Sequence, residues 1–257
     1  MKNYIQRLTK ACHPAAFILW WLLRIAVLYA LISNIAGNST DVSAVIQYAF
    51  TFVAMFIWEI CMAMPEKSFM RLMPASLQVF STLLLFSAAF LGEYLNLYQS
   101  VLWLDELLQF IFGGFSVFVG YEIACALTIR DKYSCTKAMQ FWVAFGIGFM
   151  AMNGLELFEF FLDQVEGIVT GAPGNAQYWF SEIGGTAPEK TLIDYIDPTR
   201  WAIMDTMTDI ILNTVSAFLA LLIINLFPYR LRGKYRYDMD FDRKDAVKVT
   251  VVEPNKV

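Results

Sequence analysis

Charge is scarce in this sequence: only 16% of its 257 residues are Asp, Glu, Lys or Arg, whereas a soluble domain usually carries about 25%. Hydrophobic residues make up 58% of the chain, including 22 Phe, which is too many for a disordered protein. A soluble core does not need apolar runs of about 20 residues, but a helix that crosses a bilayer does. The scarcity of charge therefore excludes an ordinary soluble domain and indicates a membrane protein.

Histidine, cysteine and recognised catalytic motifs are also scarce. The one histidine, His13, precedes the first apolar run and is expected at the surface, and the four cysteines show no CxxC spacing. No Walker loop, GxSxG, HExxH or GxGxxG occurs in a usable context. Basic residues alternate with tyrosines around 229–237, which is typical of an interfacial anchor and not of a nucleic-acid patch.

Six apolar segments predict an all-α fold, a polytopic transmembrane helical bundle. The predicted spans are residues 15–35, 42–64, 73–91, 102–129, 139–162 and 201–227. Residues 1–228 form the predicted transmembrane domain, with a longer polar loop at about 163–200, and residues 229–257 form a polar tail. The lipid bilayer is therefore the expected partner, and no nucleic-acid partner is expected.

The basic residues predict the orientation of the spans. Sixteen of the nineteen Lys and Arg residues lie in the N-terminal segment, the second and fourth loops and the tail. Two others lie in the long loop at 163–200, and the last, Arg24, lies inside the first span. Because basic loops stay in the cytoplasm, both termini are expected to be cytoplasmic.

Acidic residues do not follow this pattern, because eight of them fall within the predicted spans against the single basic residue Arg24. These acids are Glu59, Asp105, Glu106, Glu122, Glu156, Glu159, Asp205 and Asp209. A charged side chain at membrane depth costs a few kcal/mol or more, so each acid is a candidate functional residue. Glu59, Glu106 and Glu122 have an alternative interpretation as solvated residues near helix ends.

The acids of the last three spans lie along one face of each helix, together with two amides. The sets are Asp105 with Gln109, Glu156 with Glu159 and Asp163, and Asp205 with Asp209 and Asn213. All are predicted in the outer half of the bundle, where they should converge on a polar cavity. The third span carries only neutral polar residues such as Gln78 and is interpreted as scaffold. Glycines in the fourth and fifth spans predict close helix packing: Gly113, Gly114, Gly146, Gly148 and Gly154.

Clustered carboxylates must be neutralised, since two of them about 4 Å apart repel by roughly 4 kcal/mol at an effective dielectric constant of 20. Raised pKa values, an approach by Arg24 or a bound cation would each relieve this repulsion. Oxygen ligands favour Mg²⁺, Mn²⁺ or Ca²⁺ over zinc. We therefore predict a cation site at Glu156, Asp205 and Asp209, catalytic roles for Asp105 and Glu159, and supporting roles for Gln109, Asn213 and Arg24.

Three stretches resemble a known family. They are WLDELLQFIFGG (Trp103–Gly114), NGLELFEF (Asn153–Phe160) and DTMTDIILNTVSAF (Asp205–Phe218). Their order and spacing resemble the YjdF-like family of uncharacterised bacterial inner-membrane proteins and, more distantly, VanZ-like membrane proteins. The resemblance implies about six helices, a multi-pass location in the bacterial inner membrane, and a shared polar site at Asp105, Glu156, Glu159, Asp205 and Asp209. The family pattern has a histidine at the position of Gln109, and an amide coordinates metal only weakly.

Three functions remain open at this point. The first is an enzyme that uses the carboxylates on a lipid-linked or cell-envelope substrate at the outer face. The second is a cation- or proton-coupled transporter with the same acids as its coupling site. The third is a non-catalytic assembly subunit whose buried polar residues fix helix packing. The sequence does not specify the substrate or the oligomeric state.

Overall fold

The computed structural model describes residues 13–37, 42–65, 68–101, 103–131, 136–170 and 201–226, and no strand occurs within these ranges. The helices are α1 (Pro14–Ala36), α2 (Val42–Ala54), α3 (Ile57–Ala63), α4 (Ala75–Phe86), α5 (Leu97–Ser100), α6 (Leu104–Asp131), α7 (Lys137–Thr170) and α8 (Trp201–Leu226). A short 3₁₀ turn, Phe69–Leu72, precedes α4, and a π-helical segment, Ser87–Tyr94, continues it. The all-helical prediction is confirmed for these residues.

Helix α1 shows how the sequence defines a span. His13 caps its start by accepting a hydrogen bond from the Ala15 N–H at 3.2 Å, and Pro14 occupies the first turn, where its missing N–H costs nothing. His13 is exposed, as predicted. Along the helix, large apolar side chains such as Leu22 and Ile25 point away from the protein, with more than half of their surface exposed. Such a surface is stable only against lipid.

The spans agree closely with the prediction, with three differences. Among the described residues, five helices are long and apolar enough to cross a membrane, and a sixth span results if the bent α2–α3 pair counts as one. The first difference is that bend, 45° at the break between Ala54 and Ile57. The second is that the third span extends as π-helix to Tyr94. The third is that α7 continues to Thr170, so part of the predicted loop at 163–200 is helical. Residues 1–12, 171–200 and the predicted tail 229–257 lie outside the described residues.

Helix α6 is the centre of the bundle, with α7 and α8 packed along its length. Close approach depends on particular glycines, because a Cβ at Gly113 would meet the backbone of Asn213 on α8. A Cβ at Gly148 would similarly meet Val117 at 2.7 Å. By contrast, a Cβ at Gly146 or Gly154 would have no atom within 4 Å. The prediction of close packing was therefore wrong for those two positions, which do not lie in a helix contact.

The break between α2 and α3 is held by a buried arginine from α1. The Arg24 guanidinium donates hydrogen bonds to the Met55 carbonyl and to Glu59 Oε1, each at 2.6 Å. It also lies 3.9 Å from the centre of the Phe56 ring, a cation–π distance. Arg24 is 1% exposed and Glu59 is 9% exposed. The interpretation of Glu59 as a solvated helix-end residue was therefore wrong, because it is the buried partner of Arg24.

Gln78 of α4 also hydrogen-bonds the backbone at the break between α2 and α3. Its amide N–H groups donate to the Met55 carbonyl and to Thr82 Oγ1, and its Oε1 accepts from the Trp58 N–H at 3.1 Å. Gln78 is fully buried. Backbone groups that a continuous helix would pair internally are thus satisfied by side chains, as membrane helices require at a break. The neutral polar residues of the third span therefore maintain the bend of the second.

Candidate functional site

A cavity of about 450 Å³ lies between α2–α3, α4, α6 and α7. It follows α6 from Asp105 to Ile123, which is about 27 Å along a helix axis. We call its two ends the Asp105 end, with Tyr98 and Glu159, and the Met70 end, with Ile123. Most of the lining between them is aliphatic or aromatic, and a few polar groups in such a wall are typical of a ligand pocket.

The Asp105 end of the cavity is polar because residues from three helices meet there. Asp105 and Gln109 lie four residues apart on α6 and therefore form one wall, and Glu159 comes from α7. Tyr98, from the short helix α5, completes the group. A Cβ at Gly92 would overlap the Tyr98 ring, so the glycine allows the ring to take this position. The structure thus brings together Asp105, Gln109 and Glu159, as the spacing predicted.

Tyr98 experiences the combined charge of these acids. Burial raises the pKa of its phenol well above 10, and the carboxylates of Asp105, Glu159, Glu93 and Asp209 raise it further. The phenol therefore stays protonated at neutral pH and can donate a hydrogen bond into the cavity.

Behind the cavity, α8 contributes the two buried polar residues Asp209 and Asn213. Asn213 is 1% exposed, and its Nδ2 donates to Gln109 Oε1 at 3.0 Å, which links α8 to α6. Asp209 is 2% exposed. Glu156, in contrast to Glu159, borders a small crevice between α7 and α8 that it shares with Asn213. The predicted polar faces of the three helices thus lie next to one another, but their residues are divided between the cavity and the adjoining crevice.

The predicted cation site is not tested by this geometry. Asp205 lies on α8, but its side chain is outside the described residues. In the described part of the chain, no group of three or more His, Cys, Asp and Glu residues is arranged to hold a metal ion. Binding at Glu156, Asp205 and Asp209 therefore stays a prediction. Arg24 does not neutralise the cluster, since its guanidinium is bound to Glu59 instead.

Sequence reasoning did not identify Tyr98 or Gln78 as residues of this region. Tyrosine at the end of a span is typical of the membrane interface, so Tyr98 resembled many others. Gln78 carried a usable signal, because a polar amide inside a span normally needs a partner. The partner itself, the broken backbone at Met55, has no sequence signature.

The fold and the cavity define a multi-pass helical membrane protein with a mostly apolar internal cavity and a carboxylate-lined end. The chain belongs to the family of predicted membrane proteins DUF2238, which it matches over residues 17–230. The YjdF-like resemblance is consistent with this membership, because YjdF is a member of the same family. The likeness to VanZ proteins stays a prediction. No curated protein and no solved structure matches the chain.

Proposed function

We propose that this protein is an enzyme of the bacterial inner membrane that acts on a lipid-linked or envelope substrate at the outer face. The observation that supports the proposal is the meeting of Asp105, Glu159 and Tyr98 at one end of an apolar cavity. An apolar pocket with a few convergent polar and ionisable groups is the usual form of a site for a small molecule. Such a site inside the spans is accessible to a substrate with a hydrocarbon part.

The proposed chemistry is proton transfer at the substrate's polar group. One carboxylate, Glu159 or Asp105, accepts a proton from water or from a substrate hydroxyl. The protonated phenol of Tyr98 donates a hydrogen bond to the group that gains negative charge. Gln109, held by Asn213, orients the substrate. A divalent cation, Mg²⁺, Mn²⁺ or Ca²⁺, would be held by Glu156, Asp205 and Asp209 in the adjoining crevice, where it would offset the charge of the clustered carboxylates.

Glu159→Gln and Asp105→Asn test the enzyme. Lipid extracts of cells that produce the wild-type chain or a variant are compared by mass spectrometry for species that depend on the protein. We expect either variant to slow the conversion by about 100-fold or more, because a general base contributes roughly that factor. Glu106→Gln is the matched control, since Glu106 neighbours Asp105 but does not line the cavity. Wild-type conversion by both site variants would contradict the proposal.

The cation is tested separately with the purified protein. If it binds, chelation should lower the thermal unfolding temperature, and added Mg²⁺, Mn²⁺ or Ca²⁺ should restore it. Asp209→Asn should reduce that response. An unfolding temperature that changes with neither the chelator nor any of the three ions would exclude a bound cation, and the proposed carboxylate chemistry would still stand.

A coupled transporter is the second candidate. The cavity extends about 27 Å along α6, close to the roughly 30 Å thickness of the hydrocarbon core. A transport path needs access from both sides of the membrane, and the length of this cavity favours such a path. The test is ion flux into proteoliposomes that contain wild-type or Asp209→Asn protein. An absence of flux under every imposed gradient would exclude this function.

An assembly subunit is the third candidate, favoured by the buried bond between Gln109 and Asn213. Polar contacts of this kind hold membrane helices together. Asn213→Leu should then destabilise the bundle, while Glu159→Gln should leave any cellular role intact. A well-folded but inactive Glu159→Gln protein would exclude the assembly role.

A further inference from the structure

The cavity changes character away from its Asp105 end. Among the described residues that line it, the only charged side chains are Asp105 and Glu159, both at that end. The middle is lined by rings and aliphatic groups, such as those of Phe112, Phe115 and Val119. Neutral polar groups interrupt this wall at a few points, but none carries a charge. Most of the length of the cavity therefore suits a hydrocarbon ligand.

The wall of the cavity reaches the surface between α2–α3 and α7. Phe50 and Ile57, which line the cavity, are 52% and 51% exposed, and Ala151 of α7 lines it and is also exposed. Near the Asp105 end the two sides touch, with the ring centres of Phe50 and Phe158 separated by 4.6 Å. Beyond that contact the 45° bend redirects α3. The cavity is thus bordered by side chains that also face the lipid.

We propose that the cavity holds the hydrocarbon chain of a membrane lipid, which enters sideways between α3 and α7 and leaves its head group at the Asp105 end. This inference rests on the proposed function and names its substrate class. The lining excludes a charged guest from the middle of the cavity. Its length of about 27 Å suits a chain that lies along the spans, and the surrounding bilayer supplies such chains at high concentration.

The acidic residues at the Asp105 end select the head group. Asp105 and Glu159 are carboxylic side chains that accept hydrogen bonds, and Tyr98 is a hydrogen-bond donor and acceptor. Arg24, the basic residue buried within α1, is bound to Glu59 and does not line the cavity. Among the described residues that line the cavity, none is basic, so a phosphate monoester would have no cationic partner there. The arrangement favours a head group that carries an amine or hydroxyl groups.

Photolabelling in vesicles tests whether the cavity holds the hydrocarbon chain of a lipid. The full-length protein is placed in phosphatidylcholine vesicles that contain phosphatidylethanolamine with a diazirine on one chain. After irradiation, labelled residues are located by mass spectrometry. We expect labels at the cavity residues Phe112, Ser116 and Val119 as well as at the outward-facing Met150. Labels at Met150 and other outward-facing residues alone would overturn the proposal.

Two α7 variants provide a matched pair. Ala151→Phe places a ring at the side opening, whereas Met150→Phe places one on the neighbouring residue, which is 75% exposed. Ala151→Phe should reduce labelling inside the cavity several-fold, and Met150→Phe should not. Equal labelling of the cavity in both variants would overturn sideways entry at this point. Labelling of Met150 in Ala151→Phe checks that the variant is inserted in the membrane, and an unchanged thermal unfolding temperature in detergent checks that it is folded.

The head-group preference is tested with phosphatidic acid that bears the same diazirine chain. We expect several-fold less cavity labelling than with phosphatidylethanolamine, and equal labelling would overturn the preference. The proposed site for the lipid's hydrocarbon chain (the chain site) and the proposed enzyme function can be refuted independently. Cavity labelling with unchanged conversion by Glu159→Gln would refute the enzyme alone, and outward-only labelling with a loss of conversion would refute the chain site alone.

Discussion

At the scale of single residues, the pair Arg24 and Glu59 shows how this protein accommodates charge inside the spans. The guanidinium gains a carboxylate, a backbone carbonyl and an aromatic face, all within 4 Å. Burying two charges costs several kcal/mol per ion, and their attraction offsets that cost only when the geometry is good. We therefore expect the pair to fix the bend at Met55 more than to add net stability.

Single substitutions in this pair should be far more damaging than the double one. Glu59→Leu alone leaves the guanidinium buried without its carboxylate, which should lower the free energy of unfolding by about 3–5 kcal/mol. Arg24→Met together with Glu59→Leu should recover much of that loss, since no charge then remains buried. The measurement is a double-mutant cycle on purified protein in detergent. Additive losses would show that the two side chains act independently.

At the scale of helices, apolar run length was sufficient to locate the spans. The first was predicted at 15–35 and runs from Pro14 to Ala36, because the bilayer sets how long an apolar helix must be. The break after Ala54 was not predictable from local sequence, since no proline or glycine marks it. It is maintained by Arg24 and Gln78, which come from other helices, so only the tertiary structure reveals it.

Helix contacts around α6 should respond to glycine substitutions according to the space at each position. Gly113→Ala places a Cβ against the backbone of Asn213, which cannot rotate away, so α6 and α8 must separate. We expect a loss of about 1–3 kcal/mol in the free energy of unfolding, as for other overpacked contacts. Thermal unfolding in detergent would measure it.

The matched control is Gly154→Ala, where an added Cβ has no atom within 4 Å. Removing a glycine from a helix interior gains roughly 0.5–1 kcal/mol, so this variant should be neutral or slightly more stable. Equal destabilisation by the two substitutions would mean that close approach at Gly113 does not hold α6 against α8.

At the scale of the whole molecule, helix periodicity predicted which residues could lie close together, but not which of them line the cavity and which line the crevice. Asp105, Gln109 and Glu159 line the cavity, as their spacing suggested. Glu156 faces the crevice toward α8 instead. Residues three positions apart point about 60° apart around a helix. Helix α7 can therefore direct Glu159 into the cavity and Glu156 toward α8. The choice depends on how α7 is rotated against α6 and α8, which packing decides.

The orientation of the whole bundle remains a prediction, and the proposed outer-face chemistry depends on it. Ser100 and Thr136 are both exposed and lie at opposite ends of α6, just before α6 and just before α7. The positive-inside bias places Ser100, close to the Asp105 end, outside the cell and Thr136 in the cytoplasm. Single cysteines at these positions, in a chain whose four native cysteines are replaced, allow a direct test.

We expect a membrane-impermeant maleimide to label Ser100→Cys in intact cells with a permeable outer envelope, and to label Thr136→Cys only after the inner membrane is opened. Two of the native thiols, Cys61 and Cys125, are buried, so restoring either one controls for leakage of the reagent into the bundle. The opposite labelling pattern would place Asp105, Glu159 and Tyr98 on the cytoplasmic side. The carboxylate site would then act on substrates from the cytoplasm, and the lipid head group in the cavity would belong to the inner leaflet.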